Sequence, residues 1–452
     1  MELISPTDSM FLLAESREHP MHVGGLQLFE PPDGLGPEFL AEIYKDLLTH
    51  SDVQPTFRKH PGALFGGIAN LTWSFDRDID LEYHLRRSAL PSPGRVRELL
   101  ELTSRLHGNL LDRHRPLWET HLVEGLNDGR IAVYTKIHHS LLDGVSAMKL
   151  TRRTMSSDPQ DTEIRAPWTI GPRAGNKQKK RSSPLSGLTQ AVGSVAGLVP
   201  SALTLARAAL LEQQLTLPFE APKTMFNVPI SGGRRVAAQS WPLKRIIAIK
   251  DAAGVTVNDV ILAMCAGALR AYLIEQDALP DRPLIAMVPV NLRDDDDHSS
   301  GNQVGAILCN LATDLSDPAK RLEAIQASIT GNKEVFLQLP KFQQLALSAF
   351  NMAPLALTLL PALAAAAAPP FNIVISNVPG AREPLYWHGA RLDGNYPLSI
   401  ALDGQALNIT MSNNADNLDF GLVGCRRSIP HLQRLLTQLE DSLAALEKSV
   451  GV

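Results

Sequence analysis

At 452 residues, with 44% apolar and 20% charged side chains, the chain is long enough for two buried cores, too apolar for a disordered tail and too polar for a membrane bundle. Lysine and arginine total 43 against 47 acids, a net charge of −4, so no basic surplus is available for a polyphosphate backbone and no nucleic-acid partner is expected. Cys265, Cys309 and Cys425 are odd in number and form no C-x-x-C pair, which excludes a disulfide scaffold and a thiolate zinc site and fits a reducing compartment.

The first residues carry Glu2 and Asp8 and no basic-then-apolar leader, so the expected location is the cytoplasm. A short extended start leads to Gly36-Pro37, a helix-opening pair, after which Phe39, Leu40, Ile43 and Leu47 recur at helical spacing. A second helix is expected from Arg95 to about Leu111. Two strands follow, Glu119–Leu126 and Arg130–Ile137, joined by the turn Asn127-Asp128-Gly129. Directly after them stands His138-His139-Ser140-Leu141-Leu142-Asp143-Gly144, then a helix from Val145 to about Met155.

From Ser156 the chain turns polar and proline-bearing, with the basic run Lys177-Gln178-Lys179-Lys180-Arg181. Residues 182–206 hold no charge, and Leu188, Val192, Val195 and Val199 suggest an amphipathic helix that either lies on the protein's own core or docks on an anionic lipid surface. Thr256-Val257-Asn258-Asp259 fits a capping pattern opening a helix to about Glu275, and Leu284–Val290 and Ala306–Leu311 read as buried strands. Residues 342–381 carry no charged side chain, which suits a wall for a long apolar ligand and ordinary core equally well, and include the strand-like Phe371–Ile375. An amphipathic helix on Leu432, Leu435, Leu436, Leu439, Leu443 and Leu446 closes the chain.

No Walker A loop, G-x-G-x-x-G or H-E-x-x-H is present, and Met148 stands where a nucleophile elbow starting at Gly144 needs its second glycine. What remains is the paired histidine at a strand end. Imidazole titrates near pH ~6.5 and can take a proton from an alcohol and return it to a leaving group. The same two residues could instead be a structural hydrogen-bonding pair or metal ligands, although adjacent strand residues point to opposite faces. Glycine at 144 would permit a backbone turn that other residues resist.

His138–Gly144 resembles the H-H-x-x-x-D-G signature of the chloramphenicol-acetyltransferase-like superfamily. Further segments narrow the resemblance to the bacterial wax ester synthase/diacylglycerol acyltransferase family: Ser5-Pro6-Thr7-Asp8, Pro20-Met21-His22-Val23-Gly24-Gly25, Pro116-Leu117-Trp118, Val257-Asn258-Asp259-Val260, Val288-Pro289-Val290-Asn291-Leu292-Arg293, Gly301-Asn302-Gln303-Val304-Gly305 and Ser376-Asn377-Val378-Pro379-Gly380. This resemblance implies an α/β protein of two lobes, each a mixed β-sheet flanked by helices, with the active-site channel between them. The lobes would be residues 1–160 and 220–452, with 161–219 a linker and with a C-terminal segment able to cross back to the first sheet.

It also implies acyl-CoA-dependent O-acyl transfer to a long-chain alcohol or to diacylglycerol, acyl-CoA being a substrate and no cofactor or metal being needed. His139 would be the general base and Asn258 an oxyanion or acceptor-positioning group, or only a helix terminus. Asp259 would be a capping residue, His138 positional, and Gly144 part of the supporting loop. Asp143 would fix that loop through Arg293. The insoluble acceptor and product imply a cytoplasmic protein peripherally attached to membrane or lipid droplets, with the Lys177–Arg181 run as a contact. Two rivals stand beside this reading: a carrier-protein-dependent condensation enzyme and a non-catalytic droplet-binding protein on the same fold.

Overall fold

The computed structural model describes residues 2–32, 38–64, 69–171, 220–291, 304–338 and 369–452. In chain order the elements are β1 (Glu2–Leu3), α1 (Pro6–Ala14), β2 (His22–Glu30), α2 (Glu38–Thr49), β3 (Lys59–Leu64), β4 (Ala69–Phe75), α3 (Leu81–His84), β5 (Leu85–Ala89) and α4 (Val96–Gly108). They continue with β6 (Trp118–Glu124), β7 (Ile131–His138), α5 (Gly144–Arg153), β8 (Arg234–Pro242), α6 (Leu243–Ala253), α7 (Val257–Glu275), β9 (Ile285–Asn291), β10 (Val304–Asn310) and α8 (Pro318–Gln338). The last are β11 (Ile373–Ala381), β12 (Tyr386–Trp387), β13 (Ala390–Leu398), β14 (Leu407–Asn414), β15 (Asn417–Cys425) and α9 (Arg434–Val450).

The chain forms two compact units, and neither is continuous in sequence. One holds residues 1–171, 225–249 and 376–441, the other 172–224, 250–375 and 442–452. Residues 225–249 and 376–441, expected with the C-terminal lobe, therefore pack with the N-terminal one. The physical reason is strand pairing: β13 lies antiparallel to β2, with Tyr396 opposite Leu26 and Leu398 opposite Gly24.

In the first unit the main sheet runs β12-β13-β2-β7-β6-β5. Only its β5–β6 pair is parallel, so the sheet is mixed. Side chains on β7 alternate as a strand requires. Ile131, Val133 and Ile137 join Phe39, Leu40, Ile43 and Leu47 of α2 in a core that includes Trp118, Leu122 and Leu392. All four apolar positions of α2 foreseen from the spacing are buried there. Tyr134, Lys136 and His138 occupy the opposite face, where Lys136 Nζ donates to the Leu106 and Asn109 carbonyls and the Tyr134 hydroxyl meets His107 of α4. A second ladder in this unit pairs β14 with β15 and β15 with β8.

In the second unit β9 pairs antiparallel with β10 and parallel with the start of β11, again a mixed arrangement. Helix α7 is long and apolar enough to cross a bilayer, yet thirteen of its residues are buried inside the fold, which makes it a core helix. Its start is the capping box expected at Thr256: Asp259 N donates to Thr256 Oγ1 over 3.2 Å and Thr256 N to Asp259 Oδ2 over 2.9 Å.

Candidate active site

Strand β7 delivers the paired histidines. His138 is its last residue, opposite His22 of β2, and its N–H is held by the Leu117 carbonyl at 3.0 Å. His139 leaves the strand with its N–H on the Met21 carbonyl at 2.8 Å. Segments 20–25 and 116–118 thus fix the backbone of the motif from both sides. Leu117 and Trp118 are otherwise core residues, Trp118 being stacked between His84 and Trp168 with its Nε1–H on the Phe57 carbonyl.

The two rings have different surroundings. His138 is fully buried. Ser140 N–H donates to its Nδ1 over 3.2 Å and the Ser140 hydroxyl sits 2.6 Å from the same nitrogen. An Nδ1 that accepts leaves the proton on Nε2, which lies 3.3 Å from Glu15 Oε1. Glu15 is buried as well and binds Arg113 Nε at 2.9 Å. Burial alone would raise the Glu15 carboxyl, but His138 and Arg113 outweigh it and hold it below the usual carboxylate range. His138 is therefore fixed in tautomer by Ser140, its Nε2 facing Glu15 without hydrogen-bond geometry, and has no basic nitrogen free for chemistry.

His139 has one. Its ring stacks on Phe11 of α1, centroids 4.1 Å apart and planes 20° apart. Burial pulls its pKa down to about 4, His138 adds to the effect, and Asp143 opposes it. The imidazole is neutral at pH 7, which is the form that accepts a proton.

Asp143 caps α5: its Oδ1 accepts from Ser146 N at 2.7 Å. Gly144, by contrast, does not take the left-handed backbone that a glycine-only turn would need; nothing lies within 4 Å of where a Cβ would stand, so what the glycine provides is open space at the start of α5. Arg293, expected to pair with Asp143, lies outside the described residues, as do the basic run 177–181, the helix expected within 182–206 and most of the uncharged stretch 342–381. Asn258 is the second residue of α7 in the second unit and is half-buried. Among the described residues no three metal-ligating side chains converge.

Glu15, Phe11 and Arg113 are the site residues that sequence reading missed. Ser5-Pro6-Thr7-Asp8 held the only signal: Ser5 Oγ accepts from Asp8 N and Pro6 occupies the first turn, so the segment opens α1 where an extended start was expected.

The wax ester synthase/diacylglycerol acyltransferase catalytic domain model matches residues 4–261, and the C-terminal domain model of the same family matches residues 300–447. The chain belongs to the wax ester synthase/diacylglycerol acyltransferase family. It is an O-acyltransferase. The Mycobacterium tuberculosis protein named probable diacylglycerol O-acyltransferase tgs2 is 66% identical over the whole of both chains. A solved wax ester synthase/diacylglycerol acyltransferase from Marinobacter aquaeolei VT8 is 41% identical, with full coverage of both chains and a TM-score of 0.80. The first condensation domain of the calcium-dependent antibiotic synthetase matches 99% of this chain and 96% of its own at 16% identity and a TM-score of 0.60, a likeness of fold alone. The family, its two-lobed mixed α/β fold and its acyltransferase activity were thus all legible from the ordered motifs.

Proposed function

We propose that this family member moves a fatty acyl group from acyl-CoA to the 3-hydroxyl of diacylglycerol, and secondarily to long-chain alcohols, with His139 as general base and no cofactor of its own. Diacylglycerol is placed first because the relative that is 66% identical carries that activity in its name. The observation carrying the mechanism is the His139 imidazole at the end of β7, stacked on Phe11 and neutral at pH 7. It takes the proton of the acceptor hydroxyl as that oxygen attacks the thioester carbonyl. The carbon–sulfur bond then breaks and the proton passes to the departing thiolate, giving ester and free coenzyme A without an acyl-enzyme. Such a base contributes ~10²–10⁴-fold. Asn258 is proposed as donor to the developing oxyanion, a role worth ~10²–10³-fold elsewhere. Asp143, paired with Arg293, is proposed to hold the loop.

Both acceptor and product are insoluble, so the protein is proposed to work in the cytoplasm at a membrane or droplet surface, with the basic run 177–181 as one contact. Purified protein given palmitoyl-CoA with 1,2-dioleoylglycerol, with hexadecanol or with neither tests the activity. Triacylglycerol formed by wild type and lost in His139→Ala is the expected result. Turnover of carrier-bound but not free acyl-CoA would favour the condensation-type rival, and full activity in His139→Ala would refute the base. Liposome binding unchanged after neutralising Lys177, Lys179, Lys180 and Arg181 would remove that contact.

A further inference from the structure

One short helix touches both histidines of the motif. Glu15, the residue that ends α1, faces Nε2 of His138, while Phe11, one turn earlier, lies flat on His139. Leu12 anchors the helix between them, buried with Ile4, Trp73, Leu111 and Leu117, and Leu141 of the motif loop packs on the same cluster. The helix is thus fixed to the loop it covers.

We propose that Phe11 is a positioning residue that holds the His139 imidazole by one face and keeps water off it, so that the base serves the acceptor hydroxyl and not a water molecule. The inference rests on His139 being the base. The chemistry of the alternative is simple. A base able to deprotonate an alcohol can deprotonate water, and water attacking the same thioester carbonyl would break the same carbon–sulfur bond, giving fatty acid and free coenzyme A. An enzyme of this kind needs a wall against that reaction. Phe11 is placed to be one: a flat apolar ring in van der Waals contact with the imidazole, carrying no group that could hold a water molecule.

The contact has a second consequence. A phenyl face attracts an imidazolium, which would favour the protonated ring, whereas exclusion of water favours the neutral one. The charged and titratable groups acting on His139 are Asp143, which favours the cation, and His138, which opposes it. Glu15 and Arg113 act behind His138, and His22 of β2 is itself kept neutral by burial. Burial is the largest of these effects, and the ring is neutral at pH 7.

The test measures, on full-length protein, triacylglycerol formation from palmitoyl-CoA and 1,2-dioleoylglycerol, palmitoyl-CoA hydrolysis without acceptor, and the pH profile of kcat/KM. Wild type should hydrolyse at least about tenfold more slowly than it transfers and show its acidic limb below about pH 5.5. Phe11→Leu, which keeps apolar bulk and loses the flat ring, should lower kcat for transfer by about tenfold to a hundredfold, raise the hydrolysis-to-transfer ratio by a similar factor, and move the acidic limb up toward the ordinary imidazole value. A Phe11→Leu protein with the wild-type ratio and limb overturns the proposal, as does a wild type that hydrolyses as fast as it transfers, a result available even if the leucine variant does not fold. Wild type forming neither triacylglycerol nor wax ester would instead strike the proposed function.

Discussion

At the scale of single residues, the two histidines show how one dipeptide is divided between chemistry and support. His139 keeps a neutral ring because burial brings its pKa to about 4 from the ordinary 6.5. Activity should therefore be flat from about pH 6 upward and fall only well below the usual imidazole value. A kcat/KM profile whose acidic limb sat at 6.5 would contradict this. The same depression has a sign for stability: between pH 6.5 and about 4 the unfolded chain binds a proton that the folded one refuses, so this contribution is lost as pH falls through that window. His138 is maintained by Glu15, and the two substitutions there separate charge from shape. Glu15→Gln keeps an oxygen for the Nε2 proton of His138 and should retain most of kcat. Glu15→Ala takes the carboxylate from His138 and leaves Arg113 with only the Leu12 carbonyl, and should cost about 3 kcal/mol in urea unfolding, with a large loss of kcat. The Glu15 carboxyl is held below its usual range, so its stabilisation is present above about pH 4.5 and disappears as pH falls through the lowered value. The motif at 138–144 was legible because its chemistry is contiguous in sequence. Glu15 and Phe11 were not, because they reach it only through the pairing of β2 with β7, and no spacing rule connects residue 11 to residue 139.

At the scale of elements, legibility followed periodicity. Helices α2, α4 and α9 carry apolar residues at helical spacing, and each lies about where that spacing predicts. In α9, Leu435, Leu439, Leu443 and Leu446 are all fully buried. Helix α1 has four consecutive apolar residues, Met10 to Leu13, of which only Leu12 is buried while Met10 and Leu13 are exposed, so no period was there to read. The capping box of α7 was legible because it is local. Thr256→Ala should cost about 1 kcal/mol of stability, the usual loss of a cap, with little change in kcat. Asn258→Ala at the next helical position but one should do the reverse if its amide serves the oxyanion, lowering kcat by ~10²–10³-fold while the unfolding midpoint stays put. Parallel thermal melts and rate measurements on the two variants decide it; an Asn258→Ala protein that loses stability and keeps its rate leaves the residue only a helix terminus. In Ser376–Gly380 the glycine has a packing reason, since a Cβ at Gly380 would stand 1.8 Å from the Asn413 carbonyl of β14. Gly380→Ala should therefore misplace β11 against β14 and reduce soluble yield.

At the scale of the molecule, the lobe boundaries stayed soft in the sequence, which allowed a C-terminal segment to cross back without saying which one, because strand alternation says which face of a strand is buried, never which strand lies beside it. That is how β13 could join β2 across most of the chain. Within the first unit the join is sealed by Asp419 of β15, whose Oδ2 accepts from the Asn395 N–H of β13 at 2.6 Å, while Asn395 in turn holds Gln27 of β2. The Asp419-Phe420-Gly421 segment is structural, as expected: Phe420 packs on Trp241, and a Cβ at Gly421 would stand 2.0 Å from the Pro397 carbonyl. Asp419 is fully buried, and burial pushes its pKa up to about 7 despite hydrogen bonds from Asn395 and Ser240. Because the folded value lies above the unfolded one, the folded state keeps a proton that the unfolded chain gives up, and stability from this group is full below about pH 4 and lost as pH rises to about 7. Asp419→Asn removes the ionisation and keeps an oxygen for Asn395. The variant should match wild type near pH 4, then gain on it by up to ~1.4 kcal/mol per pH unit until the gap levels off above about pH 7. Urea unfolding of both proteins at pH 4, 5.5, 7 and 8 measures that gap, and one that did not change with pH would mean that Asp419 is ionised in the fold with a partner strong enough to cancel its burial.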